Sequence, residues 1–258
     1  MKKHIKKKFL LEFRPTEEKM KALEENFTYV PISEASKIKG KNIKTAMVHT
    51  FDGDIVLAFP FNDNGVNKWI PEPDPVLIYF NSAYNHWKHI IPARKTVLEL
   101  VIGSSLDESL IDKLYEYFSL SAGYVTYLFT SLEAFINRMI PDDYTYKEPL
   151  KNKTEYYTKE QIERHLPFDL KIQKVLPQAL GKDFAKAKPL VYQHIINLKD
   201  FRDGIMHTKA KKDGHTPYDY LHKKALTFKY KETLDAVENY INYYDPSLIE
   251  ICPCDKTY

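Results

Sequence analysis

The eight glycines of this 258-residue chain stand at 40, 53, 65, 103, 123, 181, 204 and 214, never closer than ten residues apart. A dinucleotide-binding GxGxxG loop and a Walker A phosphate loop each need two glycines within six residues, so both are excluded. So sparse a supply of the residue that most readily takes positive φ also argues against a turn-dense β-sandwich and in favour of helices. Hydrophobic residues make up 43% of the chain and charged residues 28%, enough apolar surface to bury a core in one large domain or two small ones.

The formal charge of +3 is misleading as a whole-chain figure. Lys2, Lys3, Lys6, Lys7 and Lys8 contribute +5 by themselves, leaving −2 for everything after residue 8. Residues 104–258 hold 22 Lys+Arg against 23 Asp+Glu, so any electrostatic case for nucleic acid must be local. The basic N-terminus does not read as a secretory signal: Phe9-Leu10-Leu11 is too short for an apolar core, and Glu12 and Arg14 follow at once. No window approaches eighteen apolar residues, so no transmembrane helix is expected. Cys252 and Cys254 lie too close together to staple a fold of this size, which makes a reducing cytoplasm the expected compartment.

Two regions are expected. Residues 1–103 read as a small α+β portion of unknown role. Within it, Lys8 to Phe13 suits a short strand, and Thr16 with Glu17 and Glu18 opens a helix to about Phe27. Thr45 to Phe59 holds two β-rich runs either side of Asp52-Gly53, a hairpin signal. Phe51, Phe59, Phe61 and Trp69 are expected to form a small core around it. The run Ile70-Pro71-Glu72-Pro73-Asp74-Pro75 reads as a linker or extended arm, with helical patterning from Val76 and Pro92 starting or kinking a helix. Residues 104–258 read as a bundle of four or five helices. Ser105 and Glu108 have capping-box spacing, and the run to Ile140 is expected as two helices or one kinked at Gly123. Tyr124, Leu128, Leu132, Phe135 and Met139 share one of its faces. A Lys- and Tyr-rich loop follows to Tyr157, then a helix capped by Thr158 and Gln161, then one opened by Pro189. A long helix after Pro217 carries Leu226, Tyr230, Leu234, Val237, Ile241 and Tyr244 as a stripe.

One helix carries the chemical information. On a wheel of about 100° per residue, Val191, Ile195, Leu198 and Ile205 define a buried arc, and Arg202 falls inside it. A guanidinium on an apolar stripe is costly unless acceptors meet it. Arg202-Asp203-Gly204-Ile205-Met206-His207 reads Arg, polar residue, three more, then His. This resembles the Rx4H motif of the HEPN superfamily, helical domains found in many prokaryotic toxin and antiviral ribonucleases. Ser131 to Asn137 resembles the first long HEPN helix, whose acidic and polar residues, here Glu133 and Asn137, face the motif. The likeness spans about residues 104–245.

The resemblance implies a HEPN-like fold, a homodimer through the helical domain, and a metal-independent endoribonuclease acting on RNA without a cofactor, in toxin–antitoxin or antiviral defence with an antitoxin protein as a further partner. An alternative reading is a non-catalytic binding or regulatory module acting through dimerisation, with Arg202 paired to Glu133 and His207 capping its helix. Cleavage by a 2′-hydroxyl needs a base, a cation beside the phosphorus and an acid for the leaving oxygen. An imidazole serves as base or acid at neutral pH, the role assigned to His207, and a guanidinium matches phosphate oxygens, the role assigned to Arg202. Glu133, Asn137 and Asp203 are the supports. Lys199, Lys209, Lys211 and Lys212 form either a basic rim for RNA or a plain solvated helix end. Gly204 is expected to kink or end the helix, because five residues of ideal helix set Arg202 and His207 about 140° apart. HEPN toxins modified by a partner nucleotidyltransferase carry Tyr two residues beyond the His; here Lys209 stands there, so that control is not expected. His86 and His89 lie one turn apart but lack a third metal ligand, and Cys252-Pro253-Cys254 lacks two more. Tyr240, Tyr243 and Tyr244 suit base stacking or, more simply, packing.

Overall fold

The computed structural model of the chain describes residues 4–10, 12–13, 16, 18, 21, 45–49, 53–101, 108–210 and 216–252. It is mainly helical with a small antiparallel sheet on the N-terminal side. Contacts divide it into two compact units, Lys6–Ile78 and Met1–Ile5 with Tyr79–Tyr258. The division expected at residue 103 falls inside the second of these.

In the first unit, strands β1 (Glu12–Phe13), β2 (Ala46–His49) and β4 (Val66–Pro71) all pair antiparallel with β3 (Ile55–Asp63). The hairpin around Gly53 forms as expected, with Val48 opposite Val56 and His49 opposite Ile55. A second hairpin turns at Asn64-Gly65, where φ is 50° and 88°; this two-residue positive-φ turn suits the twist of flanking strands. Ile55 to Ala58 are buried, whereas Phe59 and Phe61 are 41% and 50% exposed. The small aromatic core expected there does not form among the described residues, because β3 enters the unit only with its first half. The proline run is not a plain linker. Pro71 ends β4, Pro73 bridges to Phe9, and Asp74 accepts from the Val76 amide at 2.8 Å, capping a helix that opens at Pro75.

That helix, α1 (Pro75–Val101), runs unbroken through Pro92. It is followed by α2 (Glu108–Met139), which is likewise continuous across Gly123, where a break or kink was expected. Gly123 has a packing role. A Cβ there would lie 2.6 Å from Nε2 of His86 on α1. The imidazole is held by its Nδ1 donating to the Ser82 carbonyl at 2.8 Å and by the Tyr127 ring at 5.2 Å. Gly123→Ala is therefore expected to lower stability by about 1–3 kcal/mol through overpacking, although Ala is the better helix former by about 1 kcal/mol. In urea unfolding, adding His86→Ala should cancel part of that loss. Additive costs would show that the close approach is not what Gly123 serves.

The expected loop to Tyr157 is a hairpin, β5 (Thr145–Pro149) with β6 (Thr154–Thr158), and Tyr146 is buried beneath it. Alternating Thr and Tyr at period two was the unread signal. Thr158 and Gln161 form the expected capping box of α3 (Lys159–His165). Next come α4 (Phe168–Leu170), a π turn over Lys171–Val175, α5 (Leu176–Leu180) and α6 (Phe184–Ala187). α7 (Pro189–Met206) then packs against α2 and against α9 (Tyr230–Tyr244), which also packs on α2. Between them α8 (Asp219–Thr227) lies on α7. The single helix expected after Pro217 is thus two, separated at Phe228-Lys229. There, Tyr117 and Tyr230 hydroxyls both donate to the Ala225 carbonyl at 2.8 Å, and the Tyr124 hydroxyl donates to the Tyr230 carbonyl at 2.6 Å. The core holds Leu128, Leu132 and Phe135 of α2, Ile195, Leu198 and Phe201 of α7, and Leu234, Val237 and Ile241 of α9. Tyr240 and Tyr244 are buried in aromatic packing with Phe184, not available for stacking bases. The helix predicted at 16–27, the Ser105 cap and Phe51 lie largely or wholly outside the described residues.

Candidate functional site

α7 begins at Pro189, where a missing amide hydrogen is harmless, and runs straight through Gly204 to Met206. Of the two outcomes expected at Gly204, an end to the helix is not found: helical structure continues to Met206. A Cβ on it would meet only Leu221 at 3.6 Å, an ordinary contact. Gly204→Ala should raise the unfolding free energy by up to about 1 kcal/mol, measurable as a higher denaturation midpoint. A lower midpoint would show that this position needs glycine after all.

Arg202 faces the bundle as its wheel position requires, but it meets an aromatic ring. Its guanidinium carbon lies 4.6 Å from the centre of the Phe129 ring on α2. It also donates from Nη1 to Oδ1 of Asp203 at 3.0 Å, and its side chain stays 29% exposed. Asp203 takes a second hydrogen bond from Lys199 at 3.1 Å, and Lys199 reaches Asp169 at 3.2 Å. Asp169–Lys199–Asp203–Arg202 is thus one alternating chain of charges. Burial works to raise the Asp203 carboxyl, but bonds from Lys199 and Arg202 outweigh it and hold it below its ordinary range. The same bond to Asp203 holds the Lys199 ammonium above its ordinary range, against burial and with help from Asp169.

His207 is the C-terminal cap of α7, with φ −115° and ψ 44°, and its amide donates to the Asp203 carbonyl at 2.9 Å. Its side chain is exposed. Among the described residues no hydrogen bond joins it to Arg202. Lys209 is exposed beyond it, and its carbonyl accepts from the Tyr220 hydroxyl at 3.2 Å. Lys211 and Lys212 lie outside the described residues.

Glu133 and Asn137 serve a different cation. Lys171, at the start of the π turn, is only 2% exposed and donates to Oδ1 of Asn137 at 3.1 Å and to the Glu163 carbonyl at 2.9 Å. Burial pushes this ammonium below its ordinary range, while the charges of Glu133 and Glu163 act against that. Arg202 makes no ion pair with Glu133 among the described residues. Lys171 escaped sequence reasoning although the wheel test that found Arg202 applies to it: Phe168, Ile172 and Val175 flank it at helical spacing. The segment it belongs to supports Arg202 as well, since Phe168 packs on Phe129 at 4.7 Å and Asp169 anchors Lys199. Lys224 on α8 adds a further cation; burial lowers it, and Asp200 and Asp203 oppose that.

Elsewhere His86 is a packing residue and His89 is exposed. Among the described residues no three His, Cys, Asp or Glu side chains gather to hold a metal ion, and no helix is long and apolar enough to cross a membrane. Cys254 lies outside the described residues. No protein-family model matches the chain, and no curated protein or solved structure was found similar to it.

Proposed function

We propose that this chain is a metal-independent endoribonuclease of HEPN type that acts as a homodimer. The observation that supports this reading is the presence, at the C-terminal end of α7, of an exposed imidazole and a pre-oriented guanidinium: His207 is free to meet a substrate, and Arg202 is backed by Phe129 and steered by Asp203. In this reading His207 takes the proton of the attacking 2′-hydroxyl or delivers one to the leaving 5′-oxygen. Arg202 neutralises the charge gathering on the non-bridging phosphate oxygens. About 140° of helix separates the two within one chain. Two copies brought together by a two-fold axis supply both side chains to one phosphate, and two imidazoles as base and acid. In this reading exposed Lys209 meets the RNA backbone, and Lys199 would do so while bridging Asp169 and Asp203. Asp203 is a positioning residue for Arg202. A role in toxin–antitoxin or antiviral defence, an antitoxin partner and a cytoplasmic setting belong to the same proposal.

A second reading has its own support. Glu133 and Asn137 are occupied by Lys171, and Asp203 already neutralises Arg202, which suits a non-catalytic module that dimerises. One experiment separates the two. Purified chain is incubated with mixed RNA in excess chelator, beside His207→Ala and Arg202→Ala, and its mass in solution is measured. Cleavage by the wild type alone supports the nuclease. Intact RNA with a dimeric wild type supports the module, and equal cleavage by all three removes both residues from the chemistry.

A further inference from the structure

The break between α8 and α9 opens a cleft of about 540 Å³ walled on its other side by α1. Its volume is that of a small-molecule site. The lining combines apolar and cationic residues. Ile90 and Tyr230 are buried, and Leu226 and Phe228 half-buried, which gives the lining an apolar share that includes two aromatic residues. Exposed Arg94, Lys95, Lys229 and Lys231 carry four positive charges in the same lining, against the one carboxylate of Glu232. Lys95 is paired with Glu99, and Lys231 with Asp235, both from outside the cleft. Arg94 and Lys229 have no ion pair among the described residues.

Arg94 is also fixed in direction. Its Nε donates to the Leu226 carbonyl at 2.9 Å, which anchors the guanidinium at the C-terminal end of α8 and leaves its Nη groups for another partner. The 15-residue helix α9 begins in this lining, and its N-cap residue, Lys229, contributes no side-chain cap to the first-turn amides. Guanidinium fork, ammonium and uncapped amides thus belong to one lining. Two cations without ion pairs beside free helix amides suit the nearly double negative charge of a phosphate monoester better than the single charge of a carboxylate.

We propose that the cleft between α1 and the α8–α9 junction binds a small phosphate monoester carrying a ring-sized apolar body, its phosphate on Arg94 and Lys229 and its ring against Leu226, Phe228 and Tyr230. The site is independent of the α7 motif. The probe is phenyl phosphate, titrated into the full chain by calorimetry and by amide chemical shifts. Saturable binding is expected, with shifts at Tyr230 to Glu232. Arg94→Gln and Lys229→Gln should each weaken it by about tenfold or more, and Arg202→Ala should leave it unchanged. Inorganic phosphate, benzoate and benzyl alcohol should each bind about tenfold or more weaker than phenyl phosphate. The absence of saturable binding, or an affinity untouched in both cleft variants, overturns the site. Equal binding of benzyl alcohol, benzoate or inorganic phosphate overturns the assigned ligand class.

Discussion

Replacing Lys171 by Met should lower the unfolding free energy by about 2–4 kcal/mol at neutral pH. Met restores the volume of the stem but not the ammonium. Oδ1 of Asn137 and the Glu163 carbonyl each lose a donor in a region the lysine reaches with only 2% exposure, and Glu133 loses its nearby countercharge. Lys171→Ala should cost more, since it adds a cavity. The lysine also sets a pH dependence. Burial holds its folded-state pKa below the 10.5 of an exposed lysine. Between those two values the unfolded chain binds more protons than the folded one, so wild-type stability gains from this residue as pH rises through that window. The gap between wild type and Lys171→Met should therefore be wider near pH 10 than at neutral pH. Urea denaturation of both proteins at the two pH values tests this, and stabilities within about 0.5 kcal/mol of each other at neutral pH would show that the buried ammonium holds nothing in place.

Local rules recovered what depends on local chemistry. Thr158 with Gln161, Pro189 at the start of α7 and the hairpin at Gly53 are decided by neighbours a few residues away, and all three formed as the residues imply. The buried faces of α2 and α7 were legible from 3.6-residue periodicity for the same reason. The errors have a different origin. Phe228 and Lys229 carry no Pro or Gly, so nothing local marks the break between α8 and α9; that corner is held by Tyr117, Tyr124 and Arg94 from other helices. Gly204 is a poor helix former in isolation, yet α7 is packed by α2, α8 and α9 and stays helical across it. Gly123 likewise reads as a weak point in sequence, but it is where His86 fits. At the candidate site the types of residue were readable and their partners were not. Glu133 and Asn137 lie near a cation, as their pattern suggested, but the cation is Lys171, thirty-four residues beyond Asn137. Pairing across helices depends on which faces meet, and no spacing along one chain segment states that.

Under the proposed chemistry, His207→Ala and Arg202→Ala should both slow RNA cleavage by at least about 10²-fold but should differ in what else they change. His207 is exposed and caps α7 only through its backbone amide, so alanine there should leave stability within about 0.5 kcal/mol while lowering the cleavage rate by about 10²–10⁴-fold. Arg202 rests on Phe129 and pairs with Asp203, with its side chain 29% exposed. Alanine there should cost about 0.5–2 kcal/mol of stability in addition to a rate loss of about 10²–10³-fold. Arg202→Lys separates the two roles. It keeps a positive charge near Asp203 and much of the cation–π contact, so most of the stability should return. It loses the planar fork that meets two phosphate oxygens at once, so most of the activity should not. Thermal unfolding and single-turnover cleavage of the three variants measure both quantities. If Arg202→Lys regains activity in step with stability, Arg202 acts by holding α7 to α2, and the phosphate must be met by some other cation.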